Sequence, residues 1–117
     1  MKKVLIVDDS IISRKMITKL ISKHNFQIDE AVNGQQALEK IHATQYDIIF
    51  LDLLMPDIDG IQILTVLNKE HNPTKVVVIS ADIQETTKQK CKELGAFAFL
   101  HKPPKEEELD DVIQQLV

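Results

Sequence analysis

The 117-residue sequence predicts an α/β fold: a doubly wound parallel sheet of five strands, each followed by a helix. Three short apolar runs carry the prediction: Val4-Leu5-Ile6-Val7, Ile48-Ile49-Phe50-Leu51 and Val76-Val77-Val78-Ile79. They are rich in β-branched residues and lack polar alternation, as strands buried on both faces of a parallel sheet do. Helical patterns separate the strands, and that order implies parallel pairing through right-handed crossovers.

After the first strand, Ser10 is a plausible N-cap for a helix whose apolar stripe is Ile12, Met16 and Leu20, flanked by Ile17 and Ile21. The second strand, within Phe26 to Val32, alternates: Phe26 and Ile28 share one side, Gln27 and Asp29 the other. Asn33 is placed to cap a helix carrying Ala37, Leu38 and Ile41, and the third strand leads to a helix defined by Ile61, Leu64 and Leu67. The fourth helix, roughly Gln84 to Leu94, has a narrow stripe of Thr87, Cys91 and Leu94 with Ile83 ahead of it, and Gly95 fits its C′ position. So narrow a stripe predicts one of the least firmly docked elements. Its exposed side carries Lys88 and Lys92 at i,i+4 spacing, with Lys90 nearby. The fifth strand, Ala96 to Leu100, alternates through Phe97 and Phe99; alternation suits the less covered edges, so the second and fifth strands are placed outermost. Leu109, Val112, Ile113 and Leu116 mark the last helix, and Glu106, Glu107 and Glu108 sit in its first turn, where the helix dipole favours anions.

The length suits one domain, residues 1–117, and no internal repeat, low-complexity tract or linker interrupts it. A formal charge of −4 argues against direct nucleic-acid binding. Cys91 is the only cysteine, which excludes an internal disulfide and a cysteine metal cluster and suits a reducing compartment. The apolar run behind Met1-Lys2-Lys3 ends after four residues at two aspartates, too short for a signal peptide or a membrane span. The expected location is cytoplasmic.

In doubly wound sheets, ligands bind beyond the carboxyl ends of the strands. Here the first strand runs into Asp8-Asp9, the third into Asp52, the fourth into Ser80 and the fifth toward Lys102. Two carboxylates about 5 Å apart repel by about 3 kcal/mol at an effective dielectric near 20. Three together call for a cation or a bound proton. Oxygen-only ligands without Cys or convergent His favour Mg²⁺ or a similar ion such as Mn²⁺, completed by a phosphate. Lys102 offers a point charge to a phosphate oxygen and Ser80 a hydrogen-bond donor. A central carboxylate is a known nucleophile in phosphoryl transfer, forming an acyl phosphate.

Val7-Asp8-Asp9-Ser10, Leu51 to Gly60 (LDLLMPDIDG), Ile79-Ser80-Ala81 and Gly95 to Pro103 (GAFAFLHKP) together resemble the receiver domain of two-component response regulators, over the whole chain and in order. The resemblance implies a flavodoxin-like strand order 2-1-3-4-5. It implies that Asp52 accepts a phosphoryl group from a phosphohistidine on a histidine kinase or phosphotransfer protein. It further implies Mg²⁺ held by Asp9, Asp52 and the Leu54 carbonyl, with Asp8 acting through water. Lys102 and Ser80 would contact the phosphoryl oxygens, and Phe99 would turn inward as Ser80 moves. As a single domain the chain is most similar to stand-alone, chemotaxis-type regulators, which act by binding a partner as monomers or phosphorylation-dependent dimers. The expected partner surface is the face formed by the fourth helix, fifth strand and fifth helix. Pro104, where the family usually has another apolar residue, bears on how the last helix starts; the resemblance suggests a cis Lys102-Pro103 peptide, an isomer the sequence itself leaves open.

Each residue also has a plainer reading. Asp8, Asp9 and Asp52 alone suit strand-end solvation, and Ser80 alone suits a turn. Phe99 suits edge packing and Cys91 a small apolar contact. Asp57 and Asp59 before Gly60 suit local side chain–backbone bonding. His24, His42, His71 and His101 share no ligand spacing. Two other functions compete. A haloacid-dehalogenase-type phosphatase needs an acidic residue two positions after the nucleophile, where Leu54 stands, so the chain is read as a switch and not an enzyme. A phosphorylation-independent docking domain is expected to lack one of Asp9, Asp52 or Lys102, and all three are present.

Overall fold

Successive side chains of a strand face opposite sides of a sheet, so an uninterrupted apolar strand needs cover on both. The computed structural model, which describes residues Met1–Val117, supplies that cover. The chain runs β1 (Lys3–Val7), α1 (Ile11–Ile21), a 3₁₀ turn (Ser22–His24), β2 (Gln27–Ala31), α2 (Gly34–Ala43), β3 (Ile48–Leu51), α3 (Gly60–Lys69), β4 (Lys75–Ser80), α4 (Glu85–Glu93), β5 (Ala98–His101) and α5 (Glu106–Leu116). All strand pairs are parallel, in the order β2-β1-β3-β4-β5. The alternating strands lie at the two edges, as expected.

Alternation divides the core in two. Val4, Ile6, Ile48, Phe50, Val77 and Ile79 pack with Ile17 and Ile21 of α1 and Leu109, Val112 and Ile113 of α5. Leu5, Val7, Ile49, Leu51, Val76 and Val78 pack on the other face with Ala37 and Ile41 of α2, Ile63, Leu64 and Leu67 of α3, and Cys91 of α4.

Local signals set the helix ends. Ser10 accepts the Ser13 N–H at 3.2 Å and Asn33 the Gln36 N–H at 2.8 Å, so both expected caps form. Asp59 and Gln62 make a reciprocal capping box on α3. Helix α4 ends in a Schellman motif: Gly95 has φ +92°, its N–H reaches Lys92 O, and the Ala96 N–H reaches Cys91 O, both at 3.0 Å. Pro104 is buried immediately before the N-cap Lys105, and Leu109 is buried at the fourth helical position. That spacing is the hydrophobic staple, so a second proline serves the start of α5.

Three sequence expectations change. Helix α1 buries Arg14, Ile17 and Ile21, while Ile12 is 77 % exposed; the Ile12–Met16–Leu20 stripe is not the docking face. Ile83 is exposed, leaving Cys91 as the only buried residue of α4 itself. Lys88 is not freely solvated: its ammonium lies 5.9 Å from the Phe99 ring centroid.

The only tyrosine, Tyr46, is 3 % exposed and donates from its hydroxyl to Asp29 Oδ2 at 2.7 Å. Burial and the Asp29 carboxylate hold the phenol proton, pushing the pKa up to about 12. The folded state therefore keeps a proton that the unfolded chain loses near pH 10. The stability this provides is complete below pH 10 and falls, by about 2–3 kcal/mol in all, as pH rises toward 12. With no tryptophan present, ultraviolet titration should give a midpoint near 12 in buffer and near 10 in urea. A folded-state midpoint near 10 would contradict this placement.

Candidate functional site

The sheet's own hydrogen bonding places the polar cluster. Asp8 N–H donates to Ala31 O at 3.2 Å, Asp52 N–H to Val7 O at 2.9 Å, and Lys102 N–H to Ser80 O at 2.9 Å. Each bond carries the parallel ladder one residue past a strand end. Asp8, Asp52 and Lys102 thus leave the sheet at the same edge with rigid backbones.

Asp8 and Asp52 are 1 % and 4 % exposed, whereas Asp9 is exposed. One carboxylate oxygen from each of the three lies within 4.8 Å of those of the other two. Lys102 Nζ donates to Asp8 Oδ2 at 2.9 Å and to Asp52 Oδ2 at 3.5 Å. One ammonium therefore serves two of the three carboxylates. Burial raises Asp52 above the usual carboxylate range and the Asp8 charge adds to it, against the pull of Lys102 and of the Leu54 N–H. For Lys102, burial opposes the charge, but the hydrogen bond to Asp8 and the charges of Asp52 and Asp8 outweigh it and hold the ammonium above an ordinary lysine.

The loop after β3 closes tightly on this edge. Leu54 is exposed, and its N–H donates to Asp52 Oδ1 at 3.3 Å. Gly60 opens α3 so close to the strand end that a Cβ there would lie 2.6 Å from Asp52 O and 2.8 Å from Leu53 Cα. Asp59 bonds locally, as expected; Asp57 also reaches beyond its loop, its carboxylate accepting the Gly34 and Gln35 N–H groups at the start of α2, both at 3.0 Å. Those bonds hold Asp57 below the usual carboxylate range and pin the loop to its neighbour.

Ser80, the last residue of β4, is fully buried, and its Oγ accepts the Asp82 N–H at 3.1 Å from the turn that follows. Register pairs Leu51 with Val78, which sets Ser80 one residue further along than Asp52. Phe99 is half-buried on β5 beneath Lys88, and the Lys102-Pro103 peptide is cis. His24 pairs with Asp110 at 2.9 Å and His42 with Glu70 at 3.0 Å, both away from this edge.

Sequence reasoning missed Arg14. It is 9 % exposed and donates from Nη1 to Asp8 O at 2.8 Å and from Nε to Glu30 Oε1 at 3.0 Å. The available signal was its spacing: Arg14, Ile17 and Ile21 recur at i, i+3 and i+7, so a charge lies inside the buried stripe.

Residues 4–114 match the response regulator receiver domain. The transcriptional regulatory protein SrrA of Staphylococcus aureus is 38 % identical over 100 residues, 86 % of this chain and 41 % of SrrA. The chain thus spans less than half the length of the curated relatives it matches. Among solved structures, the receiver domain of the Francisella response regulator 1452 superposes with a TM-score of 0.91 at 30 % identity, covering 99 % of this chain and 96 % of that one. The response regulator TrrA of Thermotoga maritima, solved in complex with Mg²⁺-BeF, gives a TM-score of 0.89 at 26 % identity, with 100 % of both chains covered. Fold, strand order and matched residues agree: the chain belongs to the response regulator receiver domain family.

Proposed function

We propose that Asp52 accepts a phosphoryl group from a phosphohistidine on a histidine kinase or phosphotransfer protein, and that this switches the binding of a downstream protein. The observation that carries the reading is the single ammonium of Lys102 between two buried carboxylates, beside an exposed third. The set fits a hard divalent cation, because two carboxylates in excess of the local cation need neutralising and every available ligand is oxygen. Asp8, Asp9 and Asp52, with the Leu54 carbonyl, would hold Mg²⁺ or Mn²⁺; the Mg²⁺-BeF complex of TrrA supports this assignment. Bound there, the metal supplies charge stabilisation to the equatorial phosphoryl oxygens.

The chain's own residues do the rest. An Asp52 carboxylate oxygen forms the new O–P bond as the P–N bond breaks, and the departing imidazole keeps the P–N electron pair and takes up a proton. Lys102, already between Asp8 and Asp52, moves its charge onto a phosphoryl oxygen. Ser80 then exchanges the Asp82 N–H for the phosphoryl group, which draws in the β4–α4 turn and lets Phe99 turn inward. The chain is the input of a switch, not an enzyme acting on a foreign substrate. Exposed Ile11 and Ile12 in the first turn of α1, Leu54 in the loop after β3 and Ile83 in the loop after β4 stand at the same sheet edge, which supports a protein donor meeting an apolar rim.

The output surface is α4-β5-α5. A groove of about 300 Å³ between α4 and β5 is lined by Cys91, Ala96, Phe97 and Phe99, with Lys88 and Lys92 beside it. An apolar floor with basic walls suits an acidic, amphipathic segment. The first reading is a stand-alone regulator; the 41 % coverage of SrrA favours a second reading, the receiver part of a longer regulator. No helix is long and apolar enough to cross a membrane. The test is labelling from a phosphohistidine donor, followed by borohydride, which reduces an acyl phosphate to an alcohol. Homoserine should appear at position 52 alone. In the double variant Lys88→Glu, Lys92→Glu, labelling should persist while phosphorylation-dependent partner binding weakens about tenfold, close to 1.4 kcal/mol. Homoserine at another position, or unchanged partner binding, would refute the corresponding half of the proposal.

A further inference from the structure

Beyond the carboxylates themselves, we propose that Arg14 is a positioning residue that sets the affinity of the acidic cluster for its divalent cation, by fixing the Asp8–Asp9 peptide. The inference rests on the metal reading above and extends it to a helix residue outside the ligand set.

Every polar group of Asp8 is engaged. Its N–H is bonded to Ala31 O, Oδ1 accepts the Ser10 N–H at 2.9 Å, Oδ2 accepts Lys102 Nζ, and its carbonyl accepts Arg14 Nη1 at 2.8 Å in a buried bond. A peptide unit is planar, so orienting the Asp8 carbonyl also orients the Asp9 N–H. Asp9 is then left with its own soft torsions to bring an exposed carboxylate to within 4.8 Å of the other two. Glu30, on the edge strand β2, accepts Arg14 Nε at 3.0 Å, and its own carbonyl accepts Lys40 Nζ from α2. The guanidinium fork is thus held from one side and aims its second donor at the site.

Charge and geometry make opposite predictions here, which lets an experiment separate them. A guanidinium near a cation site repels the cation, so removing its charge alone would tighten binding. Removing the hydrogen bond frees the peptide that carries Asp9 and orphans a buried carbonyl, so binding would weaken. Glu30 neutralises Arg14, which delivers the hydrogen bond without a net positive charge beside the metal. Outer-shell partners of this kind typically govern about 10- to 100-fold in metal affinity.

The decisive comparison is Mn²⁺ binding, read by the electron paramagnetic resonance of the free ion, for wild type and for the charge-neutral double variant Arg14→Met, Glu30→Gln. The double variant should bind about tenfold more weakly, and in its metal-free state the Asp9 and Ser10 amide resonances should shift. Arg14→Lys, which keeps the charge but loses the fork, should also bind more weakly and carries the test if the double variant does not fold. Affinity within twofold of wild type in a folded variant, with only a lower melting temperature, would overturn the proposal and leave Arg14 a structural residue. Absence of Mn²⁺ binding by wild type would instead overturn the metal reading, and this inference with it.

Discussion

Lys102→Met should destabilise the metal-free protein by about 2–3 kcal/mol at pH 8, by much less at pH 5, and millimolar Mg²⁺ should restore most of the loss. Removing one partner of a buried ion pair strands the other, at about 3–5 kcal/mol in a closed site. Lys102 retains 20 % side-chain exposure and two carboxylates share it, so a smaller figure applies. The pH dependence follows from Asp52. Its folded-state pKa is raised by burial, so protonation favours the folded form, and that contribution is lost as pH rises through the folded value. Without Lys102 the same pKa rises further, so the variant's deficit shrinks as pH falls and protonation becomes easier. Mg²⁺ held by the carboxylates would supply positive charge in place of the lost ammonium and stabilise by mass action. Urea denaturation at both pH values, with and without Mg²⁺, checks this. An equal deficit at pH 5 and pH 8 would show that Lys102 contributes packing and not charge.

Gly60→Ala should cost about 3 kcal/mol or more and slow phosphoryl uptake as well. The added Cβ would meet Asp52 O at 2.6 Å and Leu53 Cα at 2.8 Å, and those are backbone atoms, which cannot swing aside. Either α3 backs away from β3 or the Asp52 carbonyl is pushed off its rail; overpacking of this kind costs about 1–3 kcal/mol in ordinary cores and more against main chain. Gly95→Ala is the control. Its Cβ has open space, with Asn68 Oδ1 at 3.8 Å, and only the left-handed φ of +92° opposes it. That substitution should cost about 1 kcal/mol and leave the site untouched. Equal losses for the two variants, by denaturant midpoint, would remove the close-approach explanation for Gly60.

The strands and the carboxylate cluster were legible because their signals are local. A buried parallel strand shows itself as an apolar run, and a residue one step past its end must lie at the ligand-binding edge. Helix α1 was less legible because Ile11, Ile12, Met16, Ile17, Leu20 and Ile21 spread over too much of its circumference to define one stripe. Which side docks is decided by Arg14, whose partners Asp8 O and Glu30 come from two different strand ends, a pairing no periodicity reveals. The reach of Asp57 was hidden for the same reason: its donors, Gly34 and Gln35, lie more than 20 residues away in sequence. The contact of Lys88 with Phe99 was not visible in the sequence because it joins α4 to the edge strand. Residues one step past a strand end were found, and cross-element contacts made elsewhere, from helices and loops, were not.

The central claim is that Asp52 is the phosphoryl acceptor of a metal-assisted switch, and intact-mass analysis after incubation with a small phosphodonor tests it most directly. Wild type should gain one phosphoryl group with Mg²⁺ and none without it, and Asp52→Asn, melting as a folded protein, should gain none under either condition. A phosphoryl group on folded Asp52→Asn, or no gain by wild type with Mg²⁺ and donor in excess, would contradict the account.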